Sequence, residues 1–175
     1  MILMKKIAII SDTHGFLDKK ILRILQSCDE VWHAGDFGHN TNIKELIQNQ
    51  KVIGVYGNID GSEIRSLYPR INRFQCENIK ILMTHIGGYP TKYQNKIEEE
   101  IKKYKPTLYI CGHSHILKVM YDSKYNLLHI NPGAAGKEGF HKMRTMILIK
   151  ISGKRIYDLE VVELGLRSTL SQSIN

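Results

Sequence analysis

Apolar residues fall along this chain in short runs that alternate with helical stripes. Ile7-Ala8-Ile9-Ile10 is a continuous aliphatic run, as a strand covered on both faces requires. From 17 to 28 apolar residues recur at Leu17, Ile21, Ile24, Leu25 and Cys28, the stripe of an amphipathic helix. Further strands are predicted over 30–34, 52–56, 79–83, 107–110, 119–121 and 127–130. Asn42 and Glu45 stand three apart ahead of Leu46 and Ile47, which predicts a capping box opening a short helix. Tyr93, Ile97, Ile101 and Tyr104 mark one face of another helix. The stretches 144–151 and 155–164 predict a hairpin turned at Ser152-Gly153-Lys154. The segment 165–175 is mostly small and polar and reads as a frayed tail.

The residues just beyond the carboxyl end of each strand carry the information. The runs are succeeded by Ser11-Asp12-Thr13-His14-Gly15, Gly35-Asp36, Gly57-Asn58-Ile59-Asp60, Thr84-His85, Cys111-Gly112-His113-Ser114-His115 and Asn131-Pro132-Gly133. In α/β sheets the ligand site lies beyond the carboxyl ends of the strands. Asp12, His14, Asp36, Asn58, His85, His113 and His115 are therefore expected to converge on one edge. Imidazole and carboxylate without thiolate suit Mn, Fe, Zn, Co or Ni better than Ca. Seven ligands exceed what one tetrahedral zinc takes and suit two ions sharing a carboxylate, with Asp36 the natural bridge. Singly, each piece is ordinary: Gly-Asp and Gly-Asn are turn dipeptides, and Asp-x-His is a common surface pair. Their succession in order, each after a strand, has no comparable structural explanation.

Composition narrows the rest. The chain has 175 residues, the size of one domain, and no apolar run approaches a bilayer span. The apolar start is too short for a signal peptide. Cys28, Cys76 and Cys111 lie far apart with no CxxC spacing, so neither a disulfide framework nor a thiolate zinc site is indicated. A reduced, cytoplasmic setting is expected. Lys and Arg number 25 against 17 Asp and Glu, a net +8 that attracts anions, whether nucleic acid or phosphorylated small molecules. The basic residues are dispersed, with no block resembling a nucleic-acid arm.

Asp12-Thr13-His14, Gly35-Asp36, Gly57-Asn58, Thr84-His85 and Gly112-His113-Ser114-His115 resemble the successive motifs of the calcineurin-like metallophosphoesterases, and the short chain resembles their compact YfcE-like phosphodiesterase branch. The resemblance implies a four-layer α-β-β-α sandwich, two mixed β-sheets flanked by helices, over 1–164. It implies that Asp12, His14, Asp36 and His115 hold one metal ion and that Asp36, Asn58, His85 and His113 hold the other, with Mn the ion expected in vitro. The activity implied is hydrolysis of a phosphodiester by hydroxide held between the two ions, attacking phosphorus in line, with Asn58 also touching a phosphate oxygen. The partner expected is a small phosphorylated substrate. A homo-oligomer stays open, a nuclease role is not favoured, and no membrane is involved. The alternative is a silent interaction scaffold like the family's retromer subunit, which has lost metal-site histidines; here every expected ligand is present.

The sequence also departs from the family. Many members have histidine after the asparagine to protonate the leaving group, where this chain has Ile59. Where the family commonly reads His-Gly-His, this chain has His85-Ile86-Gly87-Gly88-Tyr89-Pro90, which makes Tyr89 and Lys92 candidate substrate contacts. His39, three residues past Asp36, is a candidate catalytic residue. His33 is expected to be packed in its strand, His129 to be a strand histidine, and His141 to be solvated within a basic stretch.

Overall fold

The computed structural model describes residues 4–168. The chain runs β1 (Lys5–Ile10), α1 (Lys19–Gln26), β2 (Glu30–His33), α2 (Thr41–Asn49), β3 (Val52–Gly54), α3 (Ser62–Leu67), β4 (Ile71–Cys76) and β5 (Ile79–Thr84). It continues through β6 (Gly88–Tyr89), β7 (Lys92–Tyr93), α4 (Asn95–Tyr104), β8 (Leu108–Ile110), β9 (Leu117–Asp122), β10 (Leu127–Pro132), β11 (Met143–Ser152) and β12 (Arg155–Leu166). One five-stranded sheet has the order β12-β11-β1-β2-β3 and the other β4-β5-β8-β10-β9. In the first, β1, β2 and β3 are parallel; in the second, β5, β8 and β10 are. Antiparallel strands border each parallel trio.

Strand alternation explains the layering. Ile7 and Ile9 of β1 enter a core shared with Ile81, Met83, Leu108 and Ile130 of the other sheet. Ala8 and Ile10, on the opposite face, pack with Ile21, Leu25, Ile43 and Leu46 of α1 and α2. A third core joins Leu82, Tyr109 and Leu127 to Ile97 and Ile101 of α4. Helices, two sheets and a helix thus stack as the expected α-β-β-α sandwich. The uninterrupted aliphatic run of β1 is a consequence of covering on both faces. Among the described residues no helix is long and apolar enough to cross a membrane.

Several local expectations are corrected. The cap of α2 is Asn40, whose side chain accepts from the Asn42 N–H at 2.7 Å, so Asn42 lies inside the first turn. The Asn42 amide instead donates to the Leu17 carbonyl at 2.9 Å. Tyr93 belongs to β7 rather than to the helix, although its ring still packs against the α4 cluster. The helix α3 and strand β4 were not foreseen: α3 has six residues and no side-chain cap, and β4 is a largely uncovered edge. Strand β12 takes in Gly165 and Leu166; the expected tail from 169 onward lies outside the described residues.

His129, on β10, is buried against the rings of Tyr93 and Tyr109. Burial pushes its pKa down to about 4, so the folded chain refuses a proton that the unfolded chain accepts near pH 6.5. The unfolded state therefore binds more protons across that window, and stability falls as pH drops through it. His129→Phe should lose less melting temperature than the parent chain between pH 6.5 and 4. Parallel curves in thermal melts across that range would contradict the assignment.

Candidate metal centre

The strands of the two parallel trios end at a common edge, and their succeeding loops are laced together. The N–H groups of Asp12, His14 and Gly15 donate to the carbonyls of Gly35, Asp36 and Phe37. The Gly112 N–H donates to the His85 carbonyl, and the Gly136 N–H to that of Asp12. His33 fastens the first pair of loops. Its Nδ1 accepts from the Gly35 N–H at 3.2 Å, so its Nε2–H donates to Thr13 Oγ1 at 2.9 Å, and that hydroxyl donates on to the Phe37 carbonyl at 2.9 Å. Full burial holds the ring's pKa down at about 3, so it stays neutral in this role. The expectation of a packed, hydrogen-bonded His33 is met.

Each buried carboxylate is pinned through one oxygen. Asp12 Oδ2 accepts from the His113 N–H at 3.1 Å, and Asp36 Oδ1 from the Ile59 N–H at 3.1 Å. The other oxygens face imidazoles. His115 Nε2 is 3.2 Å from Asp12 Oδ1, and His85 Nε2 and His14 Nε2 are 3.3 and 3.8 Å from Asp36 Oδ2. Two triplets result, Asp12–His14–His115 and Asp36–His85–His113, and within each the ligand atoms lie inside 4.8 Å of one another. Asn58 Oδ1 stands 3.0 Å from His85 Nε2. All seven residues singled out from the sequence therefore meet at this edge.

The polar atoms here fit divalent cations better than they fit one another. Asp12 Oδ1 and His14 Nε2 are buried with no aligned hydrogen-bond partner among the described residues. His85 Nδ1 contacts the Ala34 carbonyl at 2.8 Å and so carries the proton, which leaves Nε2 of the neutral ring bare. That bare nitrogen then faces the Asn58 oxygen and the Asp36 carboxylate, lone pair to lone pair. A cation among them satisfies all three. Protons are the substitute. Burial opposes a charged His85, but Asp36 and Asp12 outweigh it and raise its pKa, while contact with the Asp12 carboxylate raises that of His115. Burial likewise opposes ionisation of Asp36, but His85, the Ile59 N–H and His14 hold its carboxyl below the usual range.

Backbone shape is part of the centre. Asp12, His14, Asp36, His113 and His115 all have φ between +46° and +68°. Such left-handed conformations cost non-glycine residues about 1–2 kcal/mol each and concentrate at functional sites. Gly57 serves by having no side chain. A Cβ there would lie 2.0 Å from Asp36 Oδ1.

His141 was expected to be solvated and is a correction. Its Nε2 contacts the Gly136 carbonyl at 3.1 Å and its Nδ1 contacts His115 Nδ1 at 3.2 Å. With Nε2–H donating to the carbonyl, the His141 Nδ1 is an acceptor, so His115 must donate from Nδ1 and keep Nε2 bare for a ligand role. A histidine 26 positions from its partner, in a basic stretch, carries no motif that could reveal this. Asp60 was also not singled out; it accepts from the Gly38 N–H at 3.0 Å and the Gly57 N–H at 2.7 Å, tying two of the loops.

The remaining candidates stand apart from the triplets. His39 is exposed, with Nδ1 3.6 Å from Glu63 Oε2. Tyr89 lies under the Lys118 ammonium, 3.8 Å from the ring centroid, and lines a cavity that also touches His113. Lys92 is exposed on β7 and is absent from that lining among the described residues. A polar depression of about 250 Å³ adjoins the centre on Asn58 and His85 and is lined by Arg65 and Arg70. A larger depression of about 690 Å³, between Ile101 and Ile156, shares no residue with either triplet, so size alone does not locate the chemistry.

Comparison with known proteins agrees with this geometry. The profile of the calcineurin-like phosphoesterase superfamily domain matches residues 4–154. A probable metallophosphoesterase of Mycoplasma pneumoniae is 32% identical over 164 residues, covering 89% of this chain and 96% of that protein. The structure of an archaeal phosphodiesterase superposes with a TM-score of 0.71 at 25% identity, covering 91% of this chain and 99% of the other. Vacuolar protein sorting 29 of Cryptosporidium parvum has a TM-score of 0.70 at 17% identity, with 93% and 98% covered, a likeness of fold.

Two substitutions test the construction of the centre. Gly57→Ala should cost about 1–3 kcal/mol of stability in urea unfolding and weaken Mn²⁺ binding, because the methyl displaces Asp36. Gly61→Ala, where a Cβ would meet nothing within 4 Å among the described residues, should do neither. His141→Phe should leave the fold intact and lower Mn²⁺ affinity by about 10–100-fold in calorimetric titration. Unchanged affinity would show that His115 is oriented without it.

Proposed function

The chain belongs to the calcineurin-like phosphoesterase superfamily, and from that premise we propose that it is a phosphodiesterase in which the two triplets hold two divalent transition-metal ions. Asp36 is the shared ligand and Asn58 joins His85 and His113. Mn²⁺ is the ion proposed for reconstitution, and the donor set also suits Fe, Zn, Ni or Co. When bound, such ions attract phosphate oxygens, neutralise charge and make water acidic enough to supply hydroxide near neutral pH. The observation that carries the reading is the pair of ligand triplets containing buried, unpartnered Asp12 Oδ1 and His14 Nε2.

The chain's own groups divide the remaining work. Asp12 and Asp36, each pinned through one oxygen, hold fixed negative charge that keeps cations at the sheet edge. His115, oriented by His141, and His85, oriented by the Ala34 carbonyl, present bare nitrogens there. Asn58 and the exposed His113 border the open side, where a phosphate oxygen is received, and Arg70 lends positive charge beside Asn58. The partner proposed is a small phosphorylated molecule. Likeness to an archaeal phosphodiesterase at 25% identity supports the preference for diesters.

Leaving-group protonation is the missing function. Ile59 is exposed and cannot transfer a proton, and His39, facing Glu63, stands away from the triplets. General acid catalysis is worth about 10²–10⁴-fold, so good leaving groups should dominate.

The test is hydrolysis of bis(p-nitrophenyl) phosphate by metal-stripped protein with and without Mn²⁺. Turnover should require the metal and should exceed that of alkyl monoesters. Asp36→Asn should lose more than the about 10–100-fold that loss of an outer partner costs. Folded protein with no turnover on any first-row metal would overturn the enzymatic reading, and full activity of Asp36→Asn would overturn the shared ligand.

A further inference from the structure

The loops after β5 and β8, with the edge strand β9, enclose a cavity of about 330 Å³ that includes His113. It therefore opens directly onto the Asp36 triplet. Its lining is unlike that of the arginine-flanked depression at Asn58. Ile86, Tyr89 and Ile116 contribute large apolar side chains that remain exposed, Ile116 by 62%. Folding gains nothing from apolar groups left in water at a cavity mouth, so their placement points to an apolar occupant.

The polar component is specific. His129 lines the same cavity, is 1% exposed, and has an Nδ1 with no hydrogen-bond partner among the described residues. Ser114 also borders it. Burial keeps the His129 ring neutral at neutral pH, so it can exchange one hydrogen bond with a neutral partner. An alkyl chain would leave that nitrogen unpaired, and a second phosphate would meet apolar walls. A flat ring carrying polar edge atoms satisfies both demands.

We propose that this cavity receives the heteroaromatic group of a nucleoside phosphodiester, with its faces against Ile86, Ile116 and Tyr89 and a polar edge atom meeting His129. The inference rests on the phosphoesterase reading and names the substrate class for that site. Tyr89 then acts with Lys118 above its ring, which stiffens one wall. The His85-Ile86-Gly87-Gly88-Tyr89 departure from the family pattern is the segment that builds the mouth.

The experiment compares two esters with the same leaving group on Mn²⁺-loaded protein: the p-nitrophenyl ester of thymidine 5′-phosphate and methyl p-nitrophenyl phosphate. The nucleoside ester should show a KM at least about tenfold lower, the scale of a filled apolar pocket. Ile116→Asp, an exposed position where folding is not at stake, should close most of that gap. Equal KM values in the parent chain, or a gap untouched by both Ile116→Asp and Tyr89→Ala, would overturn the pocket. A gap retained by His129→Phe would overturn the role given to His129. Calorimetric titration with thymidine 5′-monophosphate and with inorganic phosphate separates the two levels. If neither ester is hydrolysed yet the nucleotide binds more tightly than phosphate, and Ile116→Asp removes that preference, the pocket stands and the esterase reading falls. Equal affinities would remove the pocket.

Discussion

Two buried carboxylates, each held by a single backbone N–H, govern the architecture of the centre. Asp12 Oδ2 takes its bond from His113, 101 positions away, and Asp36 Oδ1 takes its bond from Ile59, 23 positions away. These contacts draw the loops after β8 and β3 onto the ends of β1 and β2. Because each carboxylate spends only one oxygen on the backbone, the other is left to face imidazoles and a cation. A buried carboxylate with all its lone pairs satisfied by N–H groups would be stable and chemically inert. The partial satisfaction seen here is costly without a positive charge nearby, and the raised pKa values of His85 and His115 express that same demand.

Meeting the demand strains the chain. Five of the seven converging residues adopt left-handed backbone conformations, and Gly57 must remain bare so that Asp36 can pass. The strain persists because its surroundings over-determine it. Asp12, His14 and Gly15 are each bonded to the opposing loop, Asp60 ties two further loops, and the strands beneath belong to aliphatic cores on both faces. Rigid sheets therefore bear the cost of a site made almost wholly of loops, as expected where precise ligand placement is required.

Much of this was legible in the sequence, for a physical reason. Parallel strands covered on both faces must be aliphatic runs, so the polar residues that break each run stand out, and sheet topology sends their side chains to one edge. Asp12, His14, Asp36, Asn58, His85, His113 and His115 were found in that way. His141 was not, because an outer partner needs only to reach a ring nitrogen and any loop long enough can supply it. Nor were the caps and edges, where one hydrogen bond decides. Asn40 rather than Asn42 caps α2 because the Asn42 amide is drawn to Leu17, and α3 and β4 are too short or too exposed for a periodic signal. The left-handed residues were hidden for a stronger reason: nothing about Asp or His announces a positive φ until the contacts that impose it are known.

Position 59 shows how the site separates holding from reacting. Its backbone N–H pins Asp36, while its side chain is 48% exposed and touches neither triplet's construction. Exchanging a proton-donating histidine for isoleucine there leaves the metal cradle intact, since any residue except proline supplies the same N–H. The cost falls wholly on the departing alcohol, which must leave without a donated proton. An enzyme so built gains most from substrates that leave as stable anions, or from binding energy drawn from groups remote from phosphorus. The cavity beside His113 is where such binding energy is available. The loss of one donor and the opening of an apolar pocket are thus complementary, each making the other's contribution to turnover larger.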